Sequence, residues 1–287
     1  VRTSAPLTDE LTDVTSIPVR EGVPIVIGTN PDGESVTVFG EDAALTCGPD
    51  GNSTIMVGTH VDHVNHGVGE AHVFALEHAL EVAKTSLIHA AGLILDDGQG
   101  MILLHAPSGT GKSTTALALS MSGAKLAADD CTAVTFLPGD NQPKAWGLPR
   151  SAKVHERSFD MLPALREHMD LGDLVFQGGE AMVDKARMTA AGFAIRQQSL
   201  LPVAAVVNLR ADHEATICSI KAQEPFDALH ALMEDNLAVG KSGLDAVQEL
   251  RLDVLSQLVG HTPCLEVQVA GPPLEIAARI LDAVRRL

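Results

Sequence analysis

Met101-Ile-Leu-Leu-His-Ala-Pro-Ser-Gly-Thr-Gly-Lys-Ser-Thr-Thr-Ala-Leu-Ala-Leu-Ser-Met121 reads as a strand, a phosphate loop and a helix. Met101 to Leu104 is a short apolar run of the kind that forms a buried strand, and Thr115 to Met121 is helix-like. Between them Gly109 and Gly111 let the backbone curl so that successive N–H groups face one point. Lys112 adds a mobile positive charge for β- and γ-phosphates, and Ser113 stands at the helix N-terminus, where its hydroxyl can ligate Mg²⁺. Ser108, Thr110 and Thr114 complete the cradle. The first glycine of G-x-x-x-x-G-K-[ST] is Ala106 here, so the formal pattern is broken at one position while its strand and helix context is kept.

Working outward, Gly123 is a natural helix stop, and Lys125-Leu-Ala-Ala128 makes a short strand that ends in Asp129-Asp130. A strand–loop–helix–strand unit brings its second strand back parallel to the first, so both aspartates should emerge at the edge where phosphates bind. Two carboxylates there can divide the work. One ligates Mg²⁺ directly or through water, and the other accepts a proton from an attacking hydroxyl; the bland alternative is an exposed Asp-Asp turn. On the other side, Leu87-Ile-His89-Ala-Ala-Gly-Leu-Ile-Leu95 is a second apolar run, joined to the loop strand by Asp96-Asp97-Gly98-Gln99-Gly100. With Gly98-Gln99 as a two-residue hairpin turn, Asp97 faces Gly100, and the same register puts His89 opposite Ser108 at the loop mouth. A satisfied histidine at a strand end is the competing reading.

The front of the chain reads differently. From about Thr15 to Val57, apolar runs alternate with turns such as Asn30-Pro-Asp-Gly33 and Cys47-Gly-Pro-Asp-Gly51, the pattern of a β-rich region. His60, His63 and His66 follow at a spacing of three, which would place them on one face of a helix and near a metal, or scatter them as surface histidines near a turn. Ala71 to Lys84 looks like an amphipathic helix. The division expected is a β-rich region over residues 1–66 and a catalytic region over 67–287, together one α/β unit with a mixed sheet.

Beyond the aspartates, Pro138 to Pro143 is a loop, and Trp146 can line a pocket or simply pack. Ser151 to Met169 is largely helical with a break at Pro163. Arg150, Lys185 and Arg187 are cations that could steady an acceptor or a transferred phosphoryl group; on a strand, Lys185 and Arg187 would share one face. Leu201 to Leu209 and Ala215 to Ile220 read as strands, Pro225 to Leu237 and Leu244 to Val259 as helices, Cys264 to Val269 as a strand, and Pro273 to Leu287 as a closing helix.

The bulk numbers set limits. A net charge of −17 over 287 residues points away from nucleic acid and anionic membrane, which are recognised first by positive charge. The four cysteines are scattered without a C-x-x-C pair, so neither a zinc knuckle nor a disulfide framework is indicated, and the expectation is a reducing, cytoplasmic setting. No apolar run reaches membrane-span length, and the first residues lack a signal-peptide core.

Taken together, Ser86-Leu-Ile-His89, the Ala106 to Ser113 loop and Gly123-Ala-Lys-Leu-Ala-Ala-Asp129-Asp130 resemble the HPr serine kinase/phosphorylase family and its phosphoenolpyruvate-carboxykinase-like relatives. The resemblance is specific over roughly residues 85 to 135 and implies a P-loop kinase core of that type. It implies that His89 assists at the phosphates, Lys112 and Ser113 hold phosphate and Mg²⁺, and Asp129 or Asp130 serves as base and metal partner, with Asp130 as the metal's carboxylate. ATP and Mg²⁺ are the implied cofactors, and the hydroxyl of a protein, peptide or small molecule the implied acceptor; a homo-oligomer is compatible with it. Thr114 stands where those enzymes often carry a glutamate, and no Leu-Glu-Ile-Arg-Gly-like run follows the aspartates. HPr itself and reverse phosphorolysis are therefore not implied. Two other readings stay open, a carboxykinase-like small-molecule enzyme and a nucleotide sensor that holds ATP without transferring phosphate.

Overall fold

The computed structural model describes residues 10–17, 25–39, 43–48, 53–57, 76–77, 79–80, 83–148, 151–168, 174–195, 199–211, 217–237 and 246–287. The chain divides into two compact units: residues 1–85 with 239–247, and residues 86–238 with 248–287.

In the first unit five antiparallel strands follow one another as a meander: β1 (Thr12–Ile17), β2 (Ile25–Thr29), β3 (Ser35–Phe39), β4 (Ala43–Cys47) and β5 (Ser53–Val57). The β2–β3 turn is built as its sequence suggests. Asn30 Oδ1 accepts from the N–H groups of Asp32 at 3.0 Å and Glu34 at 2.9 Å, and Gly33 takes φ +79°, a value that favours glycine. Alternate residues Val36 and Val38 pack with Ala44, Leu11 and Val26 into a small core. Cys47, expected in a turn, instead ends β4. His60, His63 and His66 lie outside the described residues; of the helix expected over residues 71–84, residues 76–77 and 79–80 are described and are helical.

The second unit is α/β with a mixed sheet. Its elements are β6 (Thr85–Ile88), β7 (Ala91–Ile94), β8 (Met101–His105), α1 (Lys112–Met121), β9 (Lys125–Ala128), β10 (Thr132–Thr135), β11 (Lys144–Gly147), β12 (Ala152–His155), α2 (Glu156–Met161), α3 (Leu165–His168), β13 (Glu180–Val183), α4 (Lys185–Ala190), β14 (Leu201–Ala211), β15 (Ser219–Ala222), α5 (Pro225–Asn236), α6 (Ala246–His261), β16 (Cys264–Val269) and α7 (Pro273–Val284). β8, β14 and β16 are parallel neighbours, with β7 antiparallel to β8 and β9 antiparallel to β7. Near-continuous apolar strands are what a sheet covered on both faces requires. On β8, Ile102 and Leu104 face the helices α1 and α7, while Met101 and Leu103 face α5 and α6.

Three sequence expectations change here. First, β9 does run in the direction of β8, but β7 is inserted between them. Second, the apolar run from Leu87 to Leu95 is broken. Ile88 ends β6, Ala90 N–H bonds back to Ile88 C=O, and β7 starts at Ala91. The hairpin loop has four residues, since Leu95 pairs with Gly100, Asp97 Oδ1 accepts from Gln99 N–H, and Gly98 takes φ +70°. The register is accordingly Ala91 opposite Leu104, and His89 is not opposite Ser108. Third, the segment expected to be helical from Ser151 begins as strand β12 before α2, with the break at Leu162–Pro163 as expected.

The β9 strand that delivers the aspartates is crowded from β11. A Cβ on Gly147 would lie 2.6 Å from the carbonyl carbon of Ala127, a backbone atom that cannot step aside. Gly147→Ala should therefore cost about 2 kcal/mol of unfolding free energy in a urea titration; an unchanged midpoint would show that β9 and β11 can separate freely.

Candidate functional site

β8 ends at His105, and the chain then curls through residues 106–111 into α1. Ala106 has its side chain in the core beside the α1 residues Ala116 and Leu117, so a methyl group is accommodated where the motif has glycine. Gly109 at φ +82° and Gly111 at φ +98° hold left-handed conformations, and the space about both Cα atoms is open. Gly111 is the N-cap and brings no side-chain oxygen to the first turn of α1, which also carries no acidic residue. That end of α1 keeps its N–H donors and partial positive charge for an outside acceptor, as at anion-binding helix termini.

Lys112 is the first residue of α1 and is only 9 % exposed. Its Nζ donates to Asp130 Oδ1 and stands 3.5 Å from the Asp129 carbonyl oxygen. His89, in the break between β6 and β7, places Nε2 2.9 Å from the same Asp130 oxygen. The Asp130 carboxylate is held well below the usual carboxylate range, first by the His89 hydrogen bond and then by the Lys112 charge, against the cost of burial. It is a committed anion. Its side chain is 55 % exposed, so it remains open to a ligand from solvent.

Asp129 has the opposite character. It is 8 % exposed, and burial pushes its pKa up from the ordinary value. Its Oδ2 accepts from Lys153 N–H on β12 at 2.9 Å, and the Ser113 hydroxyl also bonds to it. Adjacent carboxylates with pKa values driven apart are the arrangement in which one takes protons while the other stays charged.

The remaining sequence candidates separate. Thr114 turns its hydroxyl to Ser158 of α2 at 2.9 Å, a bracing contact between helices. Ser108 and Thr110 lie in the loop, with Thr110 N–H bonded to Pro107 C=O at 3.1 Å. Lys185 and Arg187 do not share a strand face. Asp184 caps α4, accepting from Arg187 N–H at 2.8 Å, and two positions along a helix point in widely different directions. Lys185 Nζ donates to the Ala127 carbonyl oxygen, close behind the aspartates, and burial lowers its pKa. Arg150 lies outside the described residues. Trp146 is half-buried on β11.

Five residues around the site carry no motif signal. His105, 1 % exposed, sits under the loop with Nδ1 3.0 Å from Asn208 Oδ1, and Asn208 Nδ2 donates to Gln223 Oε1 at 2.7 Å. Asp235 Oδ2 stands 3.3 Å from His105 Nε2. Burial lowers the His105 pKa despite that carboxylate. Asn236, next along α5, accepts from His89 N–H at 2.6 Å. Only the histidine ending an apolar strand was a visible hint; the α5 residues arrive from more than a hundred positions away.

Among the described residues no group of three or more His, Cys, Asp or Glu forms a metal site of its own. Ser113 and Asp130 would supply only part of a Mg²⁺ shell, which suits a cation that takes its other ligands from phosphates and water. No helix among the described residues is long and apolar enough to cross a membrane.

No protein-family model matches the chain, and no curated protein matches it by sequence. Among solved structures it is similar to the Hpr(Ser) kinase/phosphatase from Coxiella burnetii, at 12 % identity over 70 % of this chain and 95 % of that one, with a TM-score of 0.36. At that score the likeness is distant.

Proposed function

We propose that the second unit is an ATP- and Mg²⁺-dependent phosphotransferase of the HPr-kinase-like type that phosphorylates a hydroxyl of a protein, peptide or small molecule. The observation that carries this reading is the meeting of Lys112, His89 and the unlike pair Asp129 and Asp130 beside an uncapped helix N-terminus behind two left-handed glycines. A phosphate cradle alone accounts for the glycines and Lys112. It does not account for a buried carboxylate with a raised pKa beside an ionised one.

In this reading the N–H groups from Ser108 to Lys112 hold the phosphates, and Lys112 turns from Asp130 to the transferring group. Ser113 and Asp130 would hold Mg²⁺, which would supply neutralisation of phosphate charge. Asp129 takes the acceptor's proton as the hydroxyl oxygen attacks the γ-phosphorus, the bond from that phosphorus to the β,γ-bridging oxygen breaks, and ADP departs with the bonding pair. His89 orients Asp130. Lys185 stays behind the aspartates in a supporting place, and Arg187 and Arg150 remain candidates for the acceptor side.

The test is transfer from γ-labelled ATP with Mg²⁺ into cell extract split into protein and small-molecule fractions. Label on one fraction, absent with a Lys112 variant, establishes the kinase and the class of its acceptor. Tight ATP binding without label in either fraction overturns it in favour of a sensor.

A further inference from the structure

The end of α5 touches the site through a single dipeptide. Asp235 faces His105 under the glycine loop, and Asn236, 5 % exposed, accepts the His89 N–H at 2.6 Å. The Asn236 amide has no freedom to turn over. Its Nδ2 donates to Leu232 C=O at 2.9 Å, so exchanging oxygen and nitrogen would set an NH₂ against the His89 N–H and an oxygen against a carbonyl. The backbone of Asn236 is fixed in turn, its carbonyl accepting from Arg251 Nη1 of α6 at 3.1 Å.

His89 needs such a hold. It lies in a two-residue break between strands, its side chain is 45 % exposed, and neither β6 nor β7 includes it. Without an anchor its backbone would sample several conformations, and the bond from Nε2 to Asp130 would be made only part of the time. An acceptor contributed by a helix end packed against the sheet, by way of Leu232 and Ala228 in the apolar core, removes that freedom.

We infer that Asn236 is a positioning residue for the reaction: by gripping the His89 backbone from the end of α5, it sets the imidazole against Asp130 and so fixes where the ionised carboxylate stands. The transfer arm of this inference rests on the phosphotransferase reading; the geometric arm does not.

Three variants test it: Asn236→Leu, which keeps the branched shape and loses the acceptor; Asn236→Asp, which keeps an oxygen for His89 N–H and gives up only the donor to Leu232 C=O; and Asn236→Leu combined with His89→Ala. In nucleotide-free protein, the His89 amide is expected to lose its hydrogen-exchange protection in Asn236→Leu and to keep it in Asn236→Asp. The ¹⁵N shift of His89 Nε2 should move in Asn236→Leu as it moves in Asp130→Asn. Protection that survives in Asn236→Leu overturns the inference whatever the activity of the protein. In the transfer assay Asn236→Leu should slow turnover about 10-fold or more with nucleotide affinity held, and Asn236→Asp should recover most of it. On the His89→Ala background, Asn236→Leu should then change the rate by less than about twofold, because its effect passes through His89. A full additional loss on that background, or an equal fall in affinity and rate, makes Asn236 merely structural and overturns the inference. Wild-type protein that transfers no phosphate defeats the phosphotransferase reading and leaves the exchange measurement to decide the positioning.

Discussion

Lys112→Ala is expected to lower phosphoryl transfer by about 10³-fold while leaving the fold intact. The ammonium group is the one side-chain cation at the head of α1, and in transfer it would meet charge that develops on the γ-phosphoryl oxygens, where a preorganised donor is worth most. The stability cost should be small for a separate reason. Removing Lys112 leaves Asp130 with His89 at 2.9 Å and with water, because that carboxylate is more than half exposed, so its charge is not stranded. Thermal unfolding and transfer from γ-labelled ATP, measured on the same preparation, separate the two effects. Wild-type turnover in Lys112→Ala would sink the phosphotransferase assignment.

Asp129→Asn should abolish transfer by a different route, about 10³-fold in rate, with ATP binding retained. The amide still offers an oxygen to Lys153 N–H and space for the Ser113 hydroxyl, but it cannot take a proton. The pH dependence makes the role specific. Burial raises the folded-state pKa of Asp129, so the active, ionised base is lost on acidification at a higher pH than an ordinary carboxylate would give. The wild-type rate should rise with pH through that ionisation, and the residual rate of Asp129→Asn should be flat across the same range. For stability the sign runs the other way. A carboxyl group whose folded pKa is raised favours the fold when protonated, and that contribution is lost as pH rises through the folded value. At pH 7 the neutral amide should therefore be no less stable than the buried carboxylate, and an inactive Asp129→Asn that melts like wild type rules out unfolding as the cause. A variant that kept the wild-type pH profile would assign the proton to another group.

Much of this candidate site was legible in the sequence because its residues lie close together along the chain. Two glycines at the positions that need positive φ, a lysine at the first residue of the helix and an Asp-Asp pair at the end of the next strand are separated by one helix and a tight return. Chain direction alone then brings both ends to one sheet edge, and the parallel sense of β9 and β8 survives the insertion of β7 between them. The starts of β14, α5 and α7 follow an apolar run and Pro at helix starts, which local propensity controls, whereas β15, expected over Ala215 to Ile220, is Ser219–Ala222.

The rest was decided by tertiary structure, for identifiable reasons. A hairpin register depends on turn geometry, and the Asp97 side chain with Gly98 favours a four-residue loop that moved every pairing in β7 and β8 from the expected one. His89 nevertheless reaches the site, through a strand break and an asparagine from α5 that no periodicity announces. The difference in character between Asp129 and Asp130 is not written in two identical neighbours. It comes from what each meets: β12 and the core on one side, His89, Lys112 and water on the other. Sequence by itself fixes which groups can do chemistry and which edge they reach, because those follow from local conformation; their protonation and orientation are long-range properties, because burial and hydrogen-bond partners come from segments that only the folded chain brings together.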